Sequence, residues 1–282
     1  MTPASCIAHD GIVLTAKLGL EAAEARAEIR ALLAHVLGVN RAWLITHEHD
    51  VLPAEQMAAY AALLARRLNG EPTAYLFGEK EFFGRRFKVA PGVLVPRPET
   101  ELLVELALEK CATLLAPNIL DMGTGSGCIA ITLALESTGR VTALDSSAAA
   151  LAIARVNAHQ LGAAVQFYQG DWYQALPEKN AAEKFDLIVS NPPYIEANDA
   201  HLAALKHEPL QALASGEDGL QAIRCIVQGA PGYLKPGGWL MLEHGWDQAA
   251  RVQTLLQAQG FIEVETRADL AGIGRVTLGK WT

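Results

Sequence analysis

The 282 residues of this chain carry a net charge of −8, with 51% hydrophobic and 19% charged side chains. Such a composition supports a packed core and excludes wholesale disorder, and the acidic balance argues against tight, sequence-independent binding to a nucleic-acid backbone. Cys6, Cys111, Cys128 and Cys225 are widely spaced and form no CxxC pair, so they read as reduced thiols, not as a disulfide framework or a zinc site.

Near the start, Ile29, Leu32, Leu33, Val36 and Leu37 recur at helix spacing before Gly38. A second helix begins near Pro53, carries Met57, Tyr60, Ala61, Leu64 and Leu68 on one side, and stops by Gly70. No nucleotide or metal motif falls here, so residues 1–74 read as a small helical domain. His47 and His49 sit in its inter-helix loop and read as solvated. From Tyr75 to Val95 the side chains Phe82, Phe83, Phe87, Val89, Val93 and Val95 favour strands, with Gly84 and Pro91-Gly92 as turns. Residues 75–95 therefore read as a β-hairpin linker.

The rest, 96–282, is patterned as α/β. Pro96-Arg97-Pro98 keeps the chain extended until a helix opens near Thr100. Short apolar runs at Ile119–Met122, Val141–Leu144, Val165–Tyr168, Phe185–Val189 and Trp239–Glu243 alternate with helical segments, one of them Ala148–Leu161. Lys235-Pro236-Gly237-Gly238 reads as a turn before the fifth run, and Phe261–Val264 with Arg275–Leu278 as a closing strand pair.

Three strand ends carry cofactor-type chemistry. Gly123-Thr124-Gly125-Ser126-Gly127 follows Asp121-Met122 and opens a helix; glycines let the backbone approach a ligand. Asp145 ends the next strand, roughly 20 residues on, where a carboxylate can accept from ribose hydroxyls. Gly170-Asp171-Trp172 ends the third, offering an acceptor for an adenine amino group and an indole to stack on. Singly, these are a tight turn, a cap neighbour and a core aromatic. Three at successive strand ends are hard to attribute to packing.

Asn191-Pro192-Pro193-Tyr194 ends the fourth run. Two prolines fix φ and remove two N–H donors, leaving carbonyls that only accept. The Asn191 side-chain oxygen is a further acceptor, and Tyr194 adds an aromatic face. Such a cluster suits a planar –NH2 group held by both hydrogens.

Asp121–Gly127, Asp145, Gly170–Trp172 and Asn191–Tyr194 stand in the order seen in class I S-adenosylmethionine-dependent methyltransferases. Pro96-Arg97-Pro98-Glu99-Thr100-Glu101, Glu208-Pro209 with Ala212-Leu213, Gly216-Glu217-Asp218-Gly219-Leu220 and Gly70-Glu71-Pro72-Thr73-Ala74-Tyr75 narrow the match. Over nearly its whole length the chain resembles the release factor glutamine methyltransferase (PrmC/HemK) family. The resemblance implies a Rossmann-like domain with a seven-stranded, mostly parallel sheet, a helical N-terminal domain for substrate recognition and a hairpin between them. It implies N5-methylation of the glutamine in the Gly-Gly-Gln motif of class-1 peptide chain release factors, without a metal. Gly123, Thr124, Gly125, Ser126, Gly127, Asp145, Asp171, Trp172 and Asn191 are then expected to bind S-adenosylmethionine. Asn191, Pro192, Pro193 and Tyr194 are expected to hold the glutamine, with Asn191, Pro192 and Tyr194 as the catalytic set. One departure is Gly274, where the family tends to carry Asp before Arg-Val.

Two other amino-nitrogen methylations remain open: of an exocyclic base amine in nucleic acid, and of a ribosomal-protein glutamine. A non-catalytic cofactor-binding protein is a third option, which the acceptor cluster disfavours. Arg85, Arg86 and Lys88 form the compact basic cluster that could meet RNA. Arg97 and Glu99 read either as entrance residues or as salt-bridge partners. No apolar run reaches membrane-spanning length and no secretion signal is evident, so a cytoplasmic monomer without stable nucleic-acid binding is expected.

Overall fold

Helix α1 (Pro3–Leu18) opens on a reciprocal cap: Ser5 N donates to Thr2 Oγ1 and Thr2 N to Ser5 Oγ. It ends on Gly19 in the left-handed region. Helices α2 (Ala22–Leu37), α3 (Arg41–Thr46), α4 (Ala54–Leu68) and α5 (Thr73–Phe77) follow. Cys6, Leu14, Ile29, Leu32, Leu33, Leu44, Tyr60 and Leu76 form their shared core. Within it Asp10 is buried, and its Oδ2 accepts a 2.6 Å bond from the Tyr60 hydroxyl. The computed structural model describes residues 1–176 and 184–282, in two compact units, Met1–Gly78 and Glu79–Thr282.

The helical unit holds three elements that the hydrophobic spacing did not single out, α1, the short α3 and α5. Helix α1 buries Leu14 beside small or polar residues, Cys6, Asp10 and Gly11, a face with little periodic signal. Helix α5 corrects the reading of residues 75–77 as hairpin linker: Pro72 starts a turn of helix, and Leu76 fills the helical core. His47 is half-buried, its ring stacked on Trp43 with centroids 4.1 Å apart, whereas His49 is exposed.

In the second unit the hairpin is β1 (Glu79–Phe82) with β2 (Arg85–Lys88). Phe83 and Gly84, both at positive φ, make its two-residue turn. Phe82 and Phe87 are buried in the core of this unit. Asn157 clamps the hairpin edge: Lys88 N donates to its Oδ1 at 2.7 Å, and its Nδ2 donates to Lys88 O at 3.0 Å. Val93 and Val95, expected in strands, are buried within an irregular stretch.

The sheet has seven strands in the order β5-β4-β3-β6-β7-β9-β8. These are β3 (Asn118–Met122), β4 (Arg140–Asp145), β5 (Val165–Gln169), β6 (Phe185–Ser190), β7 (Leu234–Glu243), β8 (Ile262–Ala268) and β9 (Gly274–Lys280). The strands from β5 to β7 are parallel, and β9 is antiparallel to both its neighbours. Helices α6 (Glu101–Cys111), α7 (Cys128–Glu136), α8 (Ala148–Leu161), α9 (Gln221–Tyr233) and α10 (Ala249–Gln259) cover the two faces. Alternation on β3 sends Ile119 into one core and Leu120 and Met122 into the other.

Lys235–Gly238, expected as a turn ahead of the fifth strand, lies inside β7 as an irregularity. Phe185 pairs with Leu234 and Leu187 with Trp239, so residues 235–238 loop out between them. Gly237 N donates to Trp281 O, and Trp281 N to Gly238 O, which ties the loop to the last strand. Among the described residues no helix is long and apolar enough to cross a membrane.

Strand order reverses at β3, with β4 and β5 on one side and β6 and β7 on the other. The crevice beyond the carboxyl ends of β3 and β6 is where such sheets bind ligands.

Removing the Tyr60 hydroxyl leaves a buried carboxylate oxygen short of its donor. Tyr60→Phe is expected to lower stability by about 1–3 kcal/mol in urea unfolding; an unchanged midpoint would show that the Asp10 contact contributes nothing.

Candidate active site

The turn after β3 is fastened to β4. Gly123 N and Thr124 N both donate to Leu144 O at 2.9 Å, and Gly125 N donates to Asp145 Oδ2 at 2.9 Å. Asp145 Oδ1 accepts from Ser147 N at 2.9 Å. Burial pushes the Asp145 carboxyl above its ordinary range, while the Ser147 and Gly125 N–H groups hold it down. Each oxygen keeps a further lone pair for a ligand hydroxyl. Gly127 has φ +84°, and a Cβ there would lie 2.7 Å from Ile131 Cδ1 and 3.2 Å from Ala154 Cβ. Only glycine lets α7 and α8 approach at this point.

Beneath the turn, Asp121 is fully buried; its Oδ2 accepts from Thr124 Oγ1 at 2.6 Å, and its Oδ1 has no partner. Burial pushes this carboxyl up to about 7, against the pull of the Thr124 hydroxyl and of the Ala130 backbone N–H. Thr124 and Ser126 are both buried; the Thr124 hydroxyl braces the turn through Asp121, and Ser126 holds it through its backbone oxygen, which accepts from Asn157 Nδ2 at 2.8 Å.

At the end of β5, Gly170 N donates to Asp145 O at 3.1 Å. Trp172 follows at φ +44°, in the left-handed region that a bulky residue occupies only when its surroundings over-determine it. Its half-buried ring packs on the core while also bordering a cavity. The same cavity is lined by Gly123, Gly125, Asp145, Asp171, Asn191 and Pro193. It thus gathers residues from the ends of β3, β4, β5 and β6. Thr124, Ser126, Gly127, Pro192 and Tyr194 lie outside its lining. The remaining walls include Gly170, Pro209 and Ala212, which belong to motifs singled out in sequence, and Leu94, Ser146 and Gln211, which gave no chemical signal there.

Asn191 is fixed from one side only. Its Nδ2 donates to Thr100 Oγ1 at 3.1 Å, and its Oδ1 is buried with no partner. Just before it, Ser190 Oγ donates to Met122 O at 2.6 Å, tying β6 to β3. Just after it, Pro192 is buried and Tyr194 is half-buried. The Tyr194 carbonyl accepts from Gln248 Nε2 at 2.9 Å, and Gln248 Oε1 accepts from Gly245 N at 2.9 Å. A Cβ on Gly219 would stand 2.3 Å from Tyr194 O, so glycine is required there. Burial and Glu243 push the Tyr194 phenol up; Arg275 and Arg97 oppose them.

Glu243, at the end of β7, stands beside Asn191 because Ser190 pairs with Leu242. It is buried, with Oε2 unpartnered. Burial pushes its carboxyl up to about 7; the Thr100 hydroxyl, Arg275 and the Tyr194 hydroxyl pull it down, and Glu99 pushes it up.

The remaining motifs are braces. Glu208 accepts from Val95 N at 2.9 Å and from the Arg97 guanidinium, so Arg97 is a salt-bridge partner. Asp218 caps Leu220 N and pairs with Arg224 and Arg251. Arg85 pairs with Glu136 and Arg86 with Glu79, which neutralises much of the basic cluster. Thr100, Glu243 and Gln248 had no signal of their own in sequence. Thr100 and Gly219 were visible only as letters of longer motifs.

The raised Asp121 carboxyl has a pH consequence. The folded chain keeps a proton up to about pH 7 that an ordinary aspartate, at 3.8, has already released. Its contribution to stability is therefore complete at acid pH and is lost as pH rises through about 7. Asp121→Asn removes that titration, so the melting temperature of the variant should gain on wild type between about pH 5 and pH 8. Parallel melting curves in calorimetry over that range would contradict this.

Comparison with known proteins agrees with this architecture. The family model for the PrmC N-terminal domain matches residues 14–78, and that for the methyltransferase small domain matches residues 98–268. A release factor glutamine methyltransferase of Bordetella pertussis is 53% identical over 257 residues, covering 90% of this chain and 94% of that protein. One from Burkholderia pseudomallei is 51% identical over 262 residues, covering 90% and 91%. Among solved structures, a T. thermophilus 16S rRNA methyltransferase in complex with AdoMet and guanosine superposes with a TM-score of 0.55 at 20% identity, covering 72% of this chain and 50% of that one, a likeness of fold. On these relationships, spanning both units, the chain belongs to the release factor glutamine methyltransferase family.

Proposed function

We propose that this chain uses S-adenosylmethionine to methylate the side-chain amide nitrogen of the glutamine in the Gly-Gly-Gln motif of class-1 peptide chain release factors. The observation that carries the reading is the Asn191 amide, whose nitrogen is tied to Thr100 while its oxygen is buried and unpartnered at the end of β6. A buried acceptor left empty by the protein is costly unless a ligand donor fills it.

The residues around the cavity fit the cofactor. Asp145 offers lone pairs to ribose hydroxyls, Asp171 an acceptor, Trp172 a ring face, and Gly123 and Gly125 a backbone without side chains. When bound, S-adenosylmethionine supplies an electrophilic methyl group on a sulfonium centre.

An amide nitrogen is a weak nucleophile because its lone pair is delocalised into the carbonyl. A side-chain base of ordinary pKa cannot ionise it, so orientation is the device left to the protein. Asn191 Oδ1 and the Pro192 carbonyl accept the two amide hydrogens and fix the plane of the substrate group. As positive charge develops on the nitrogen, the same two oxygens stabilise it. Pro193 borders the cavity, and Tyr194 closes the amide site while Gln248 pins its carbonyl. The spent proton leaves to water.

The helical unit is assigned to recognition of the release factor, which is far larger than the amide it presents. Pairing of Arg85 and Arg86 with acidic neighbours favours a protein substrate over a nucleic acid. A translation factor as substrate fits a cytoplasmic enzyme.

Incubation with labelled S-adenosylmethionine and unmodified release factor, followed by mass spectrometry, should find the label on the Gly-Gly-Gln glutamine. Label found only on RNA or on a ribosomal protein would refute the assignment. Asn191→Ala should lower kcat by about 100–1,000-fold in the same assay. Turnover within a few-fold of wild type would remove Asn191 from the mechanism.

A further inference from the structure

An asparagine amide is nearly symmetric in shape, and half a turn about its last bond exchanges acceptor for donor. A reacting amide that presents two hydrogens can use Asn191 only with Oδ1 facing it. Something must therefore choose between the two orientations. Among the described residues the hydrogen-bond partner of the Asn191 amide is Thr100 Oγ1, 3.1 Å from Nδ2. Thr100 is 2% exposed, in the tight turn Pro98–Thr100 that opens α6.

A lone hydroxyl can donate or accept, so Thr100 discriminates only if its own proton is engaged elsewhere. Glu243 provides that. It stands next to Asn191 in sheet register, is 2% exposed, and has the Thr100 hydroxyl among its polar neighbours. The other groups facing it are Arg275 from β9, Glu99 from the turn before α6, and the Tyr194 hydroxyl. Above about pH 7, where the Glu243 carboxyl is ionised, it can take the Thr100 hydroxyl proton in a hydrogen bond, and Thr100 then offers only lone pairs to Asn191. Those accept from Nδ2 and repel Oδ1.

Resting on the reading of Asn191 as the acceptor for the substrate amide, we infer that Thr100, backed by Glu243, is a positioning residue that locks the Asn191 amide with its oxygen toward the reacting nitrogen. Thr100 touches neither substrate nor cofactor in this scheme and acts through Asn191.

Thr100→Val keeps the shape and removes the hydroxyl; Thr100→Ser restores the hydroxyl alone. With release factor as substrate, Thr100→Val should lower kcat by about 10–100-fold while leaving affinity for S-adenosylmethionine unchanged. Thr100→Ser should recover most of the loss. In an Asn191→Ala background, Thr100→Val should add no further loss, because the two residues act as one unit. Losses that multiply in the double variant, or a wild-type kcat in Thr100→Val, overturn the inference. A readout free of turnover is the Asn191 side-chain amide in 15N-asparagine-labelled protein, assigned by its disappearance in Asn191→Ala. One of its two protons should be protected from exchange in wild type and unprotected in Thr100→Val; equal protection in both overturns the inference. Thr100→Cys, of similar size and much weaker hydrogen bonding, serves both measurements if valine does not fold. A wild-type protein that leaves release factors unmodified refutes the underlying function, and the amide measurement still decides the positioning role.

Discussion

A buried oxygen without a donor organises the catalytic unit. Asn191 Oδ1 lies at the end of a central parallel strand, without a hydrogen-bond partner among the described residues. Leaving such an atom empty costs on the order of 1–3 kcal/mol. The surroundings hold it there through bonds to Ser190, to Asn191 itself and to Tyr194. Ser190 is tied to Met122, and the Asn191 nitrogen to Thr100. The Tyr194 carbonyl is held by Gln248 and crowded by Gly219. On the proposed reading, these bonds are what orientation catalysis asks of an acceptor: to be positioned by the fold itself.

The same economy runs through the loops around the cavity. Glu208 joins the segment after the hairpin to the loop after Tyr194, using one carboxylate for Val95 N and Arg97. Asp218 gathers Leu220 N, Arg224 and Arg251. Asp145 holds Gly125 N and Ser147 N and still has lone pairs for a ligand. Carboxylates that look like surface charges in a linear reading act here as clamps on backbone N–H groups. Their place beside the site explains why acidic residues crowd a region that also faces a sulfonium cofactor.

Much of this was legible in the chain itself. The apolar runs and the closing pair gave all seven strands of the large sheet; β3, β4 and β6 are the plainest because parallel strands buried on both faces are nearly continuous in hydrophobicity. Ala148–Leu161 is bounded by Ser147 and Gly162, which cap it in the structure as their chemistry dictates. Asp145, Trp172 and Asn191 stood out because each ends a strand, and the fold gathers them around one cavity. Helix α1 was harder to see, because Leu14 shares its buried face with Cys6, Asp10 and Gly11 in place of a leucine stripe. The Lys235–Gly238 bulge was read as a turn because glycine and proline signal both; only the bonds between residues 237–238 and Trp281 make it part of a strand.

Local chemistry, then, determined the elements, the glycine turn and the acceptor cluster, since each depends on residues adjacent in the chain. Which way the Asn191 amide faces, which carboxyls are buried enough to hold protons near neutrality, and which backbone groups Glu208 and Gln248 hold were settled by tertiary structure alone. Thr100 and Asn191 are 91 positions apart, and Glu243 reaches them only because β7 pairs with β6. No local pattern encodes such meetings; they arise when the sheet closes its register and takes these groups out of water.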